Sequence, residues 1–168
     1  MNMHSTYPVP FDQRELREVL GRFATGVAVV TTCGDDAAPV GLAVNSFASV
    51  SLDPPEILWS IISTAPSRPA FQRHSAFTVN VMPAEDKDRT LQFARPSANK
   101  FEGVAWRRGW REVPVLDNAI ATMECDLKQM IPCGDHHIVV GSVRAIDCRD
   151  GKPLVFFRGE FTSLGATV

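Results

Sequence analysis

One face of the strand predicted over residues 44–52 carries an amide, two hydroxyls and a phenyl ring, which belong to Asn45, Ser49, Ser51 and Phe47. This face can exchange hydrogen bonds with the edge of a heteroaromatic ligand, while the phenyl ring contacts the body of that ligand. The alternative is a half-exposed strand whose small polar side chains face water. Taken alone, the stretch favours the second interpretation, so the case for a ligand depends on other segments.

Two further segments could hold an anion. Ser67, Arg68 and Pro69 have the composition of a helix start, with Ser67 as the N-cap, and free backbone N–H groups beside a guanidinium suit a phosphate. Lys100, after the helix stop at Pro96, could neutralise the same charge. An ordinary helix cap, a solvated arginine and a solvated lysine are the competing interpretations, and each is favoured when its segment is considered alone.

Two turns carry further functional groups. The first is Gly134-Asp135, which delivers His136 and His137 at the start of a strand, where the two imidazoles point to opposite faces. Adjacent histidines of a strand cannot easily share one metal ion, so His136 is better suited to hydrogen-bond a carboxamide or to act as an acid. A surface turn with two exposed histidines explains the pattern about equally well.

The second turn is Arg158-Gly159, which lies between aromatic-rich strand halves and suits the mouth of a ligand site. A plain strand with a bulge at Gly159 explains this segment nearly as well.

Several chemistries lack support in the sequence. There is no G-x-S-x-G motif, no cysteine beside a histidine with an orienting partner, no zinc-type spacing and no G-x-G-x-x-G after a strand. The net charge of -2 comes without a Lys/Arg run, which argues against nucleic-acid binding. Neither a secretory leader nor an apolar run of membrane-spanning length is apparent, and four unpatterned cysteines predict reduced thiols in a cytoplasmic protein.

The predicted elements are mostly strands. A capping box at Asp12 and Glu15 begins a helix that Gly26 ends, short helices follow Ser67 and span residues 86–94, and residues 99–117 form a long loop. Strands are predicted over residues 27–32, 39–52, 57–62, 77–81, 119–130, 136–147, 154–158 and 161–164. This pattern predicts one α+β domain over residues 1–168, a closed antiparallel β-barrel with a few flanking helices, and residues 1–10 as a flexible tail.

Taken in order, the segments resemble the flavin reductase family of split-barrel flavin-binding proteins. The resemblance covers nearly the whole chain and is carried by FATGV at 23–27, NSFASVSLDPP at 45–55, FTVNV at 77–81, KF at 100–101, GDH at 134–136 and RG at 158–159. Each block is weak alone, and their order and spacing together are specific. The family often has tyrosines where this chain has Phe157 and Phe161, and a small polar residue where it has Val44.

The resemblance implies a homodimeric split barrel that binds FMN or FAD near the subunit interface. The implied flavin contacts are Pro39, Val40, Gly41, Leu42, Ala43, Asn45, Ser46, Ser60, Ile61 and Ile62, with Ser67 and Arg68 on the phosphate and Gln92, Phe93 and Lys100 closing the pocket. The implied nicotinamide contacts are His136, which would position the nicotinamide for catalysis, and Phe157, Arg158, Gly159 and Glu160. No metal is implied.

The implied function is NAD(P)H-dependent reduction of FMN or FAD, with release of the reduced flavin to a partner monooxygenase. Hydride transfer is chemistry of the cofactors, so the protein needs only to orient two rings, and no nucleophile or metal cluster is required. A flavin carrier or sensor without turnover, and a structural dimer module with a vestigial cleft, are the alternatives. The sequence leaves FMN against FAD and NADH against NADPH open.

Overall fold

The computed structural model describes residues 9–165, so most of the predicted N-terminal tail lies outside the described residues. The helices are α1 (Gln13–Leu20), α2 (Arg68–His74) and α3 (Lys87–Ala94). The strands are β1 (Thr25–Gly26), β2 (Ala28–Cys33), β3 (Pro39–Val44), β4 (Ala48–Leu52), β5 (Pro55–Ile62), β6 (Ala76–Val81), β7 (Trp106–Arg108), β8 (Pro114–Leu116), β9 (Ala121–Cys133), β10 (His136–Cys148), β11 (Leu154–Phe157) and β12 (Glu160–Ser163). The predicted α+β class is confirmed.

The first helix begins as predicted. The Asp12 carboxylate accepts from the Glu15 N–H at 2.8 Å, and the Glu15 carboxylate accepts from the Asp12 N–H at 2.8 Å, which completes a capping box. The helix ends at Gly21, and the prediction that it continues to Gly26 is wrong because Gly26 belongs to β1. No residue of α1 is buried.

Seven antiparallel strands form the main sheet, in the order β3-β2-β6-β9-β10-β5-β4. Among the described residues, hydrogen bonding does not close this sheet, because β3 and β4 are its two edges, so the predicted closed barrel is not confirmed. A smaller sheet has the order β1-β11-β12, and β7 pairs only with β8. Every residue of β2 is buried, because one apolar cluster lies on each side of that strand.

The predicted unbroken strand over residues 44–52 is wrong. Residues 45–47 are not in strand conformation, and they carry the chain from one edge of the main sheet to the other. The Ser46 hydroxyl accepts from the Ser60 N–H at 2.9 Å and donates to the Ser60 carbonyl at 3.2 Å. A side chain therefore takes the place of a strand neighbour there, which the alternation of residue types could not indicate.

The predicted loop over residues 99–117 contains the β7–β8 hairpin, whose three-residue strands are too short to show periodicity. The Asp126 carboxylate on β9 holds this region, accepting from Trp110 Nε1 at 2.9 Å and pairing with Arg111 Nε at 2.9 Å and Arg144 Nε at 2.7 Å. Glu124 and Asn80 also bond this region, through the Trp110 and Leu116 N–H groups, so tertiary contacts order a segment whose own sequence predicts no structure.

The Asp126 contacts make stability depend on pH. The Trp110 hydrogen bond, and then the arginine contacts, lower the pKa of Asp126 from 3.8. A carboxyl whose pKa is lower when folded adds stability above its unfolded pKa and loses it as the pH falls through the folded value. At neutral pH we expect Asp126→Asn to have a lower free energy of unfolding than wild type. This difference in unfolding free energy should narrow as the pH falls from about 5 to about 2.

Urea unfolding at each pH measures the difference, and exposed Asp147→Asn is the control. A difference that stays constant over this pH range would contradict the prediction.

The cysteines divide into two groups. Cys33 and Cys125 are buried, whereas Cys133 and Cys148 are exposed, and all four are free. Burial and neighbouring carboxylates raise the pKa of the Cys125 thiol to about 12, so this thiol is a poor nucleophile. Among the helices that the structure describes, none is both long and apolar enough to cross a membrane.

Candidate functional site

A cleft of about 910 Å³ lies between the edge strand β3, the end of β5, the start of α2, and α3 with the loop that follows it. It is lined by Ala38, Pro39, Val40, Gly41, Leu42, Ala43, Ile62, Ala65, Pro66, Ser67, Phe93, Ala94, Pro96, Ser97, Ala98, Asn99, Lys100, Phe101 and Glu102. Nine of the fifteen flavin contacts implied by the resemblance are in this set. The structure therefore brings together groups from five separate segments.

The inner wall of the cleft is the free edge of β3. This strand pairs with β2 on one side, and on the other side no strand of residues 9–165 pairs with it. In an edge strand, alternate residues turn unpaired N–H and C=O groups outward. A planar ligand with donors and acceptors along one edge can bind there as a further strand would.

Gly41 sits where this wall meets α3. A β-carbon built on it would lie 2.9 Å from Phe93 Cε1 and 3.4 Å from Phe101 Cε2. The Phe93 and Phe101 rings pack edge to face at 5.0 Å, and Phe101 meets Trp106 in the same way at 6.0 Å. The absent side chain lets a row of aromatic rings approach the strand backbone.

The outer wall, residues 99–102, is held to α3 by polar contacts. Gln92 Nε2 donates to the carbonyls of Lys100 and Glu102, both at 2.9 Å. Lys100 Nζ donates to the Phe93 carbonyl at 2.9 Å, at the end of α3, and burial lowers the pKa of this lysine. Gln92 is itself outside the cleft lining, so it supports the wall from behind.

The helix α2 begins where the sequence predicts, with Ser67 as its N-cap residue and a proline in its first turn. Ser67 lines the cleft, but its side chain makes no capping hydrogen bond and its backbone is helical. Arg68 is outside the lining, and its Nε donates to the Ser63 carbonyl at 3.0 Å. The guanidinium thus lies beside the loop between β5 and α2, next to the cleft.

Four more of the implied residues lie outside the cleft lining. Ser46 and Ser60 bond each other, and the Ile61 side chain is buried in the core with 1% exposure. Asn45 lines a second, smaller pocket of about 160 Å³. That pocket adjoins the cleft, because Ala43 and Ala94 line both.

His136 approaches the cleft from the neighbouring strand. It lies opposite Ile62 in the β10–β5 ladder, and Ile62 lines the cleft. His136 Nδ1 is 2.7 Å from the Asp135 carboxylate, and this contact lowers the pKa of Asp135. The imidazole is therefore oriented by its sequence neighbour.

Arg158 and Gly159 form a two-residue turn between β11 and β12. Their φ angles of 51° and 83° are typical of a type I′ hairpin, so the alternative of a bulged strand at Gly159 is wrong. The backbone N–H of Arg158 donates to the Gly21 carbonyl at 3.0 Å. Phe156 belongs to the same hairpin and lines the second pocket. This turn belongs to the small sheet, whereas His136 belongs to the main one.

Sequence reasoning missed part of the lining, mainly Ala65, Pro66, residues 96–99, Phe101 and Glu102. Small and proline residues carry no chemical signal of their own. The spacing of Phe93 and Phe101 reflects no helical or strand period, because the two belong to a helix and a following turn. Only their apposition in the fold shows their role.

The cleft therefore suits a flat, partly apolar ring with a hydrogen-bonding edge and an anionic tail. Backbone groups of β3 are available to such an edge, Ala43 and Ile62 offer apolar surface, and Lys100 with Ser67 offers polar groups. FMN and FAD have these properties. Within residues 9–165, no group of three or more His, Cys, Asp or Glu side chains is placed to hold a metal ion.

Comparisons with known proteins agree with this geometry. The family described as flavin reductase like domain matches residues 20–165. The reductase component of a flavin-dependent trigonelline monooxygenase from Acinetobacter baylyi is 40% identical over 88% of this chain and 48% of its own length. This chain thus spans about half of that relative.

Two further proteins are similar over almost their full lengths. An FMN reductase (NADH) from Agrobacterium fabrum is 39% identical over 95% of this chain and 91% of its own. The solved structure of a Streptomyces globisporus NADH:FAD oxidoreductase, in complex with NAD and FAD fragments, superimposes with a TM-score of 0.87 at 32% identity, covering 96% of this chain and 98% of its own.

Proposed function

The chain belongs to the flavin reductase-like family, and from this we propose that it reduces FMN or FAD with NADH or NADPH. The observation that carries the proposal is the cleft, in which the unpaired backbone of β3 faces an aromatic wall. When bound, the flavin supplies the acceptor for a hydride from the nicotinamide. The protein contributes orientation, exclusion of water and a site for the phosphate.

We assign the flavin to the cleft. Residues 39–43 would hold the ring edge through their backbone, and Ile62 would contact the ring, with the buried Phe93 ring supporting this wall from the α3 side. Ser67, Lys100 and the adjoining Arg68 would hold the phosphate, once Lys100 turns from the Phe93 carbonyl. The remaining implied contacts would reach the flavin at the rim of the cleft or through their backbone groups. They are Asn45, Ser46, Ser60 and Ile61.

We assign the nicotinamide cofactor to the rim between His136 and residues 157–160. Since these groups belong to two different sheets, a homodimer in which two copies complete each site would explain their shared role. This split-barrel homodimer, the transfer of reduced flavin to a partner monooxygenase and a cytoplasmic location are parts of the proposal. Reductase components of monooxygenases among the relatives support the partner.

One assay tests the proposal directly. Purified protein is mixed with NADH or NADPH and with FMN or FAD, and nicotinamide oxidation is followed by absorbance. We expect turnover above the uncatalysed rate with at least one pair. Tight stoichiometric flavin without turnover would favour the carrier alternative, and no thermal stabilisation by either flavin would favour the vestigial one.

We predict that Gln92→Leu weakens flavin binding through the wall it supports. The change removes two hydrogen bonds to the carbonyls of Lys100 and Glu102, each worth about 0.5–1.5 kcal/mol, and frees the wall to move. The expected result is a flavin Kd and flavin KM raised about tenfold, with the KM for NADH unchanged. Gln129→Leu, on an exposed part of β9, is the matched control. Equal increases in both KM values would show that Gln92 does not act on the flavin.

We predict that Arg158→Asn acts on the nicotinamide cofactor. Asparagine tolerates the left-handed backbone at this turn, so the hairpin is retained while the cation is lost. We expect the KM for NADH to rise about tenfold and the flavin Kd to change less than about twofold. Arg149→Asn, another exposed arginine, is the control. Equal losses of flavin and NADH affinity would contradict this assignment.

A further inference from the structure

The loop between β5 and α2, residues 63–67, forms one side of the cleft. Ala65, Pro66 and Ser67 belong to the cleft lining, whereas Ser63, at the start of the loop, is outside it. All three polar groups of Ser63, the backbone N–H, the carbonyl and the hydroxyl, make hydrogen bonds. Ser63 is therefore the residue through which this side of the cleft is attached to its surroundings.

Two of the three bonds tie the loop to the start of β10. The Ser63 N–H donates to the Asp135 carbonyl at 2.8 Å, and the Ser63 hydroxyl is 3.1 Å from Nδ1 of His137. A hydroxyl can donate or accept, so it bonds Nδ1 in either tautomer of the imidazole. His137 is itself fixed in the β10–β5 ladder, opposite the buried Ile61. A side chain of the main sheet thus holds the loop in addition to the backbone contact.

The third bond joins the loop to the guanidinium of Arg68. Arg68 Nε donates to the Ser63 carbonyl at 3.0 Å, and Nη1 donates to the Gln72 side-chain oxygen at 3.4 Å. A guanidinium is planar and carries its donors in a rigid fork, so a bond at Nε sets the direction of the other N–H groups. The orientation of Arg68 therefore depends on the position of the Ser63 carbonyl, and the hydroxyl bond to His137 helps to fix that position.

We propose that His137 and Ser63 are positioning residues for Arg68 and that they set the preference of the cleft for a flavin that carries a phosphate. This inference rests on the proposed function, because it takes the flavin phosphate as the anion that Arg68 binds. His137 and Ser63 are both outside the cleft lining, so they act on the ligand only through the guanidinium. Riboflavin has the same ring system without the phosphate, so its binding should not depend on either residue.

The test compares the binding of FMN and riboflavin to the whole protein, followed by flavin fluorescence. Wild type should bind FMN more tightly than riboflavin. Ser63→Ala and His137→Leu each remove the bond between the hydroxyl and the imidazole. We expect each variant to raise the FMN Kd about fivefold and to change the riboflavin Kd less than about twofold. Half-buried Ser142→Ala, at the other end of the β10–β5 ladder, is the matched control and should change neither Kd.

A conservative variant separates positioning from a general loss of structure. In His137→Asn the amide group is attached at Cγ, as Nδ1 is in histidine, so it can bond the Ser63 hydroxyl, whereas leucine places only methyl groups there. We expect His137→Asn to keep the FMN Kd within about twofold of wild type. In an Arg68→Gln background, Ser63→Ala should raise the FMN Kd no further, because the guanidinium that Ser63 positions is absent.

Failure of this inference differs from failure of the proposed function. The inference alone is overturned if wild type binds FMN no more tightly than riboflavin, or if the variants leave the FMN Kd unchanged or raise both Kd values equally. It is also overturned if His137→Asn behaves like His137→Leu, or if Ser63→Ala has its full effect without Arg68. If His137→Leu does not fold, Ser63→Ala and the Arg68→Gln background decide the result. Wild-type protein that binds neither flavin overturns the proposed function and this inference together.

Discussion

Replacing Gly41 with alanine is expected to raise the flavin Kd about tenfold, because the new methyl group would lie 2.9 Å from the Phe93 ring. Either the ring or the β3 edge must shift by a few tenths of an ångström, and both are walls of the cleft. Phe93 has no exposed surface and packs against Phe101, so the shift spreads along the aromatic row. Overpacking of this kind costs about 1–3 kcal/mol, which predicts a lower unfolding free energy as well.

A second substitution separates packing from other effects of the Gly41 change. Phe93→Leu shortens the opposing side chain, so the double variant should recover part of the flavin affinity and stability that Gly41→Ala loses. Gly26→Ala is the control, because a β-carbon there would meet nothing within 4 Å. Flavin titration by fluorescence and urea unfolding give the two quantities. Additive losses in the double variant would contradict the proposed contact.

Replacing Trp59 with alanine is expected to cost about 3–5 kcal/mol of unfolding free energy, a large part of the stability of a domain of this size. Trp59 has no exposed surface, and its ring packs edge to face on Phe71 at 5.0 Å and Phe77 at 5.7 Å. It also anchors the strand that carries Ile62 to the cleft and pairs with His136. Flavin binding should therefore fall together with stability.

The indole N–H of Trp59 gives the matched comparison. Its Nε1 is buried and has no hydrogen-bond partner in the part of the chain that the structure describes, so Trp59→Phe removes an unsatisfied donor while it keeps an aromatic ring. The smaller ring leaves a cavity, which lowers the free energy of unfolding, whereas the loss of the unsatisfied donor raises it. We expect the net change in unfolding free energy to stay below about 1.5 kcal/mol. Urea unfolding of both variants tests this. A loss for Trp59→Phe as large as that for Trp59→Ala would show that the N–H has a partner.

Local signals in the sequence determined where several elements begin and which family the chain belongs to. The Asp12–Glu15 capping box needs only residues three positions apart, so it could be predicted from the sequence. The motifs, taken in order, identified the family and, through it, most of the residues of β3 that line the cleft. These residues follow one another along a single strand, so they line the same wall.

The tertiary structure decided what those signals could not. The break at residues 45–47 depends on Ser60, fourteen positions away, and the β7–β8 hairpin depends on Asp126. Gln92, implied as a flavin contact, instead bonds carbonyls eight and ten residues on, behind the cleft wall.

The physical reason is the range of the interactions. Hydrogen bonds and periodicity within one element are recorded in neighbouring residues, whereas the contacts that shape a cleft join segments that only the folded chain brings together. Gly41 illustrates the difference: the sequence shows a glycine in a strand, and only the fold shows the phenylalanine ring that occupies the space of its missing side chain.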